Sequence, residues 1–274
     1  EAEREIVMNE YEDKIGTVIV GTVQRVEPRL VRVDLGKATG ILPSSEQIPN
    51  EYYGVGSRIK VFLKDVERGN RGPQLVLSRA NEQFIEYLFR QEVPEMETGA
   101  VTIKGIARQA GVRTKLAVAS SVPGVDPVGT FVGGHGTRVQ AVMNEIGDQE
   151  KIDIVTFADD IETYIKNALS PTEVIRVELN EKAKHARVIV DQSQLSIAIG
   201  KAGQNVRLAS KLSGYELDIE SGVQKPVDEP SEAAELAEQK PEQPVVAETK
   251  KPTKPKRRDD IEAGLLGAIE AHGE

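Results

Sequence analysis

The sequence predicts a multidomain α+β protein, and three observations carry that prediction. Five short β-branched runs, separated by Gly, Pro and Asn, occupy the first third of the chain. One order of strands, helices and a glycine loop then occurs twice. After Gly222 the composition shifts to Pro, Glu, Ala, Gln and Lys, with no aromatic residue and no apolar period. At 274 residues the chain has room for two or three small domains, each with its own core.

Residues 1–13, EAEREIVMNEYED, are charged and read as the last helical residues or linker of a preceding domain. Residues 17–24, 30–35, 40–42, 58–66 and 74–77 read as strands. Five strands in about 65 residues suggest a small closed barrel of the OB type over residues 14–79. Residues 80–92 read as a connecting helix with Phe84, Ile85, Leu88 and Phe89 on one side. Two strands follow, 101–106 and 114–119, then a short helix, a glycine loop, a longer helix and a closing strand, which together span residues 93–158. The second copy spans 159–221. Its opening helix runs over 159–169 with Asp159 or Asp160 as N-cap, and its first strands are 173–179 and 186–190. The glycine loops lie 67 residues apart, Gly133 to Gly200, as duplicated domains of that size require. Residues 222–274 read as a disordered tail, since ordering them could not repay its entropy. The tail carries a basic block at 250–258, which is either an RNA-binding arm or a solubilising segment, and a short amphipathic helix over 261–270.

In both copies an apolar stretch ends in Gly-x-x-Gly and a helix begins at once. The first reads Val132-Gly133-Gly134-His135-Gly136 and the second Ile199-Gly200-Lys201-Ala202-Gly203. Clamping a sugar-phosphate backbone needs this arrangement. Glycine allows a tight turn and close approach, and helix N-terminal amides point positive partial charge at phosphate. KH domains grip four nucleotides in this way and lay the bases in an apolar groove. Val132, Val139 and Val142 would wall that groove in the first module, and Ile197, Ile199, Val206 and Leu208 in the second. Arg138, Lys201 and Arg207 are placed to meet phosphates. A single such loop is a weak signal that most often marks an ordinary helix entry, whereas two in matched frames are a strong one. Neither loop has the spacing of a nucleoside-triphosphate phosphate loop.

Composition narrows the chemistry. Zero cysteines exclude disulfides and thiolate metal sites, and the three scattered histidines give no zinc set, so no metal or cofactor is expected. No run of eighteen apolar residues and no apolar leader occurs, so a cytoplasmic protein without membrane contact is expected, acting as a monomer. The formal charge of −9 hides a segregated pattern. No acidic residue occurs between Thr98 and Val125, where Lys104, Arg108, Arg113 and Lys115 lie, and the stretch from Lys184 to Lys211 carries five cations against Asp191. The first of these stretches is either an RNA-facing surface or a solvated hairpin.

The stretches GTVQRV, GVDPVG with the following RVQAVMNEI and EKIDIV, and AIGKAGQNVRLASKLSGYELDI resemble the NusA family of bacterial transcription factors. The resemblance covers roughly residues 14–221. It implies a five-stranded OB-type S1 barrel, two tandem type II KH domains, and a factor without enzymatic activity. Such a factor contacts nascent single-stranded RNA and, with RNA polymerase and other antitermination factors, modulates pausing, termination and antitermination. The family's polymerase-binding N-terminal domain has no counterpart beyond residues 1–13. In the first loop Gly134-His135 stands where the family has a longer apolar residue and a basic one, which weakens that clamp; His135 is either a phosphate contact or an exposed loop residue. The barrel holds few aromatics, Tyr52, Tyr53 and Phe62, and is expected to contribute charge through Arg25, Arg29, Arg32, Lys60 and Arg71. An RNA-binding subunit of an RNA-processing assembly is the competing reading of the same modules.

Overall fold

Alternation of β-branched and polar residues builds five strands: β1 (Val18–Glu27), β2 (Leu30–Asp34), β3 (Thr39–Pro43), β4 (Arg58–Gly69) and β5 (Gly72–Ser78). The computed structural model describes residues 2–69 and 72–222. The strands close in the order β1-β2-β3-β5-β4, with β3 and β5 parallel and β4 paired back to β1. This is an OB-type barrel, its interior filled by Val23, Val31, Val33, Leu42, Leu63, Leu75 and Leu77. The helix α1 (Ala2–Glu12) packs on it through Met8 and Tyr11, and the Tyr11 hydroxyl donates to the Leu35 carbonyl at 2.9 Å.

The next helix, α2 (Glu82–Glu92), starts at Asn81, whose side chain accepts from the amides of Gln83 and Phe84. The sequence reads this stretch as a connector, but its apolar face enters the core of the first α/β module. Phe84, Ile85, Leu88 and Phe89 join Val101, Leu116, Val118, Phe131, Val142 and Ile146, and the same cluster includes Ile48 and Phe62 of the barrel. Periodicity shows which face of a helix is apolar but not what covers it. Here the helix is shared by two modules.

The first module continues with β6 (Val101–Gln109), β7 (Arg113–Ser120), α3 (Pro127–Val132), α4 (Thr137–Ile146) and β8 (Lys151–Thr156). The second repeats it as α5 (Ile161–Ala168), β9 (Val174–Asn180), β10 (His185–Val190), α6 (Leu195–Ile199), α7 (Gln204–Ser213) and β11 (Glu216–Ser221). In each sheet the middle strand pairs antiparallel with the strand before it and parallel with the closing strand. Of the two candidate caps, Asp160 is the one used, accepting from the Thr163 amide.

The described residues, 2–69 and 72–222, belong to one unit. Gly111, at the turn between β6 and β7, lies against Pro49 of the barrel, where a Cβ would come within 3.1 Å. Gly105 on β6 faces the second module, where a Cβ would meet Leu212 at 3.2 Å and the Tyr164 hydroxyl at 3.3 Å. Tyr164 stacks edge-on against Phe157, donates to the Leu212 carbonyl, and has its hydroxyl pKa pushed up to about 12 by burial. The expected tail beyond Gly222 and the helix over 261–270 lie outside the described residues, as does Arg71.

The acid-free stretch of the first module does not form a basic surface. Arg108 is buried against Glu150, Arg113 pairs with Asp153, and Lys104 lies over the Phe157 ring. The Lys115 side chain is 0% exposed and donates to Asp153 and, across the module boundary, to the Ser170 carbonyl. Burial lowers the Lys115 pKa, and Asp153 only partly offsets this. A proton held less tightly in the folded state means that this group's contribution to stability rises as pH climbs toward the ordinary lysine value. Lys115→Met is expected to keep stability within about 1.5 kcal/mol of the parent or to raise it. The variant's advantage should shrink in urea titrations as pH rises toward the ordinary lysine value of 10.5. A constant difference would show that Lys115 binds its proton as tightly in the fold as in the unfolded chain, so that burial does not lower its pKa.

Candidate nucleic-acid interface

The two glycine loops adopt one backbone conformation. Gly133 has φ 77°, ψ 167° and Gly200 φ 75°, ψ 171°; His135 and Ala202 are left-handed at φ 55° and 52°; Gly136 and Gly203 close the turn at φ 77° and 71°. Each loop opens directly into a ten-residue helix, α4 or α7. Two amide-rich turns of the same shape, each at a helix entry, are what a sugar-phosphate clamp requires.

The reasons for glycine differ within the motif. A Cβ on Gly133 would lie 2.7 Å from Cγ of Arg138 and 3.0 Å from its amide; one on Gly200 would lie 2.8 Å from Cβ of Asn205 and 2.9 Å from its amide. Gly136 and Gly203 have open space instead, nothing nearer than 3.8 Å, and glycine there answers the positive φ. Gly134, His135, Lys201 and Ala202 are exposed. The face open to a ligand is thus the middle pair and the last glycine.

The sequence-selected cations part ways. Lys201 stands exposed in the second loop. Arg207 lies beside that loop and donates to the Ala202 carbonyl at 3.0 Å. Arg138 does not reach out from the first loop. It folds back to pair with Glu95 at 3.1 Å and to donate to the Thr130 carbonyl at 2.8 Å. Glu95's own backbone amide, and then Arg138, hold the Glu95 carboxyl below its usual pKa.

Elsewhere in the second basic stretch, Arg187 pairs with Glu178 and Glu220, and Lys211 reaches Glu82 of α2. On the barrel, Arg25 is exposed with Glu27 at 3.8 Å, Arg32 pairs with Glu27, and Arg29 is exposed. Lys60 sits 3.5 Å from Glu145 of α4 and so helps join the barrel to the first module. Of the three barrel aromatics Tyr52 is 91% exposed, while Tyr53 and Phe62 are buried.

The groove residues also divide. Ile197 and Ile199 are 45% and 39% exposed beside the second loop, Val132, Val139 and Val206 are half-buried, and Val142 and Leu208 belong to the cores. The second loop therefore has an exposed cation, a neighbouring arginine and two exposed isoleucines, whereas the first has no exposed isoleucine and its neighbouring arginine, Arg138, is paired with Glu95.

Sequence reasoning missed Asn205, Glu95 and the junction at Arg79. The Arg79 guanidinium is buried between Glu51, Glu145 and the Lys60 carbonyl, over the Phe84 ring. Burial works against its charge, but Glu51 overcomes that and raises its pKa. Asn205 was legible in principle, since the 67-residue offset places it opposite Arg138.

An OB-type barrel followed by two α/β modules, each with this left-handed Gly-x-x-Gly turn, defines a class of proteins assembled from nucleic-acid-binding folds. Comparison with known families sharpens the class. A model described as the S1 RNA binding domain matches residues 12–78, one for the NusA-like first KH domain matches 79–157, and one for the NusA-like second KH domain matches 161–225. The chain belongs to the NusA family. It is 49% identical over 244 residues to the transcription termination/antitermination protein NusA of Thermus thermophilus, covering 86% of this chain and 63% of that protein. The corresponding protein of Bacillus subtilis is 47% identical over 221 residues, 81% of this chain and 59% of its own length. That of Mycobacterium tuberculosis is 40% identical over 235 residues, 82% and 67%. The chain spans about three fifths of the length of the first two relatives. Among the described residues no helix is long and apolar enough to cross a membrane.

Proposed function

We propose that this chain is the single-stranded RNA-binding core of a NusA-type transcription factor. In that role it contacts nascent RNA in the bacterial cytoplasm and, with RNA polymerase and antitermination factors, modulates pausing, termination and antitermination. The observation that carries the reading is the pair of tandem Gly-x-x-Gly turns with the same backbone conformation. The second loop is the stronger clamp, through Gly200, Lys201, Gly203 and Arg207 with Ile197 and Ile199 beside them. The first, with Gly133, Gly134, His135 and Gly136, supplies amides with less charge. A role in binding without covalent chemistry is supported by Glu150, the buried carboxylate among the described residues, which is tied to Arg108, Thr114 and the Gly111 amide in a structural joint.

The test is Lys201→Asp with Ala202→Asp, at the exposed middle pair. Substituting Gly200 would instead collide with Asn205 and damage the fold. Aspartate tolerates a left-handed φ better than alanine does, so the change at position 202 spares the backbone. Titration with a fluorescent unstructured RNA of about twenty nucleotides at two salt concentrations should show at least a roughly tenfold loss of affinity. The slope of log affinity against log salt should become shallower by about 0.7 per lost phosphate contact. Equal binding by variant and parent would move the main site away from the second module.

A further inference from the structure

We infer that Arg138 and Asn205 are equivalent loop fasteners: positioning residues that hold the two Gly-x-x-Gly turns in shape from beneath, neither of them a ligand for phosphate. Each stands five residues after the first glycine of its loop. Each sends a side-chain N–H to a carbonyl at the end of the preceding helix, and these carbonyls occupy equivalent places in the repeat. Arg138 Nη1 donates to Thr130 O at 2.8 Å; Asn205 Nδ2 lies 3.4 Å from Ile197 O and 3.0 Å from Ala198 O, and reaches Leu169 O at 3.2 Å. Thr130 and Ile197 are themselves 67 residues apart, the offset of the glycines.

Both side chains also lie directly under the first glycine. They are the groups that a Cβ at Gly133 or Gly200 would strike. Fastener and first glycine therefore form a coupled pair, which places the demand for glycine at that position inside the protein. The carbonyls at the end of a helix lack intrahelical partners, and capping them fixes where the chain turns. The two modules solve the same problem with different side chains. Asn205 is 1% exposed and uses a short amide. Arg138 has the longer reach and a charge, and Glu95 neutralises it with both carboxylate oxygens within 3.2 Å of Nη1. An arginine held on two sides in this way is poorly placed to serve a phosphate.

This inference rests on the RNA-binding reading only for its functional consequence, and the experiment separates the two. Arg138→Ala and Arg138→Asn are made in the full chain carrying Lys201→Asp and Ala202→Asp, so that the first loop dominates the RNA signal. Amide hydrogen exchange at Gly133, Gly136 and Thr137 is measured without RNA. It should accelerate in Arg138→Ala and return toward the parent in Arg138→Asn, which copies the second module. In RNA titrations Arg138→Ala should weaken binding by up to roughly tenfold, and Arg138→Asn should recover most of it, with the salt slope unchanged in both. Unchanged exchange in Arg138→Ala would overturn the fastener role, whatever RNA does. Equal loss in both variants with a slope shallower by about 0.7 would make Arg138 a phosphate ligand and also overturn it. If the parent chain binds no RNA, the functional reading fails and the exchange data alone still decide the fastener.

Discussion

Glu150→Ala is expected to lower the stability of the described unit by about 3–5 kcal/mol, the range for removing one partner of a buried ion pair. Arg108 and Glu150 both have side chains 0% exposed. The Glu150 carboxylate accepts from Arg108 Nε at 2.8 Å and Nη2 at 3.0 Å, from Thr114 Oγ1 at 2.7 Å and from the Gly111 amide at 2.8 Å. Arg108 Nη1 in turn donates to the carbonyls of Arg79 and Asn81, which connect the barrel to α2. Truncation leaves a guanidinium buried with two neutral acceptors. The fall should appear as a lower urea midpoint at pH 7. Arg108→Met combined with Glu150→Leu should recover much of the loss, because the desolvation cost of both charges disappears along with their attraction. A loss below about 1 kcal/mol for the single variant would mean that water reaches Arg108 and that the pair is effectively a surface one.

Phe89→Ala should cost about 3–5 kcal/mol, the range for deleting a fully buried aromatic ring. Phe89 is 0% exposed, and its ring centroid lies 5.6 Å from that of Phe131 at a tilt of 56°. The manner of unfolding is as informative as the size of the effect. The cluster around α2 takes in Ile48 and Phe62 of the barrel together with residues of the first α/β module, so a cavity there weakens both. Thermal unfolding followed by far-UV circular dichroism and by calorimetry should keep one transition for the barrel and first module. A barrel that melts separately, at an unchanged temperature, would assign α2 to the first module alone.

Local order was legible because its causes are local. Strand-like runs, the apolar stripe of α2, the aspartate cap of α5 and the glycines at helix entries all act within a few residues of themselves. The repeat was legible because duplication leaves a constant offset. Charge was the misleading signal. The absence of carboxylates between Thr98 and Val125 says nothing about carboxylates that the fold brings in from 40 residues away, such as Asp153, which stands 2.7 Å from Arg113. Arg138, read from its place after the first loop as able to meet phosphate, and Lys60, read as a source of charge on the barrel, each pair with a glutamate that local sequence does not reveal.

By itself the sequence determined the class of each module, the order of modules and the location of the two Gly-x-x-Gly turns, because glycine acts through its own φ and ψ. The tertiary structure alone decided which cations remain available. A long side chain pairs with whatever the packing places within about 4 Å of it, and Lys201 and Arg207 stand at a loop while Arg108, Lys115 and Arg138 are held by carboxylates distant in sequence. It also decided that α2 is shared between barrel and first module, since an apolar helix face is completed only by the surfaces that fold against it.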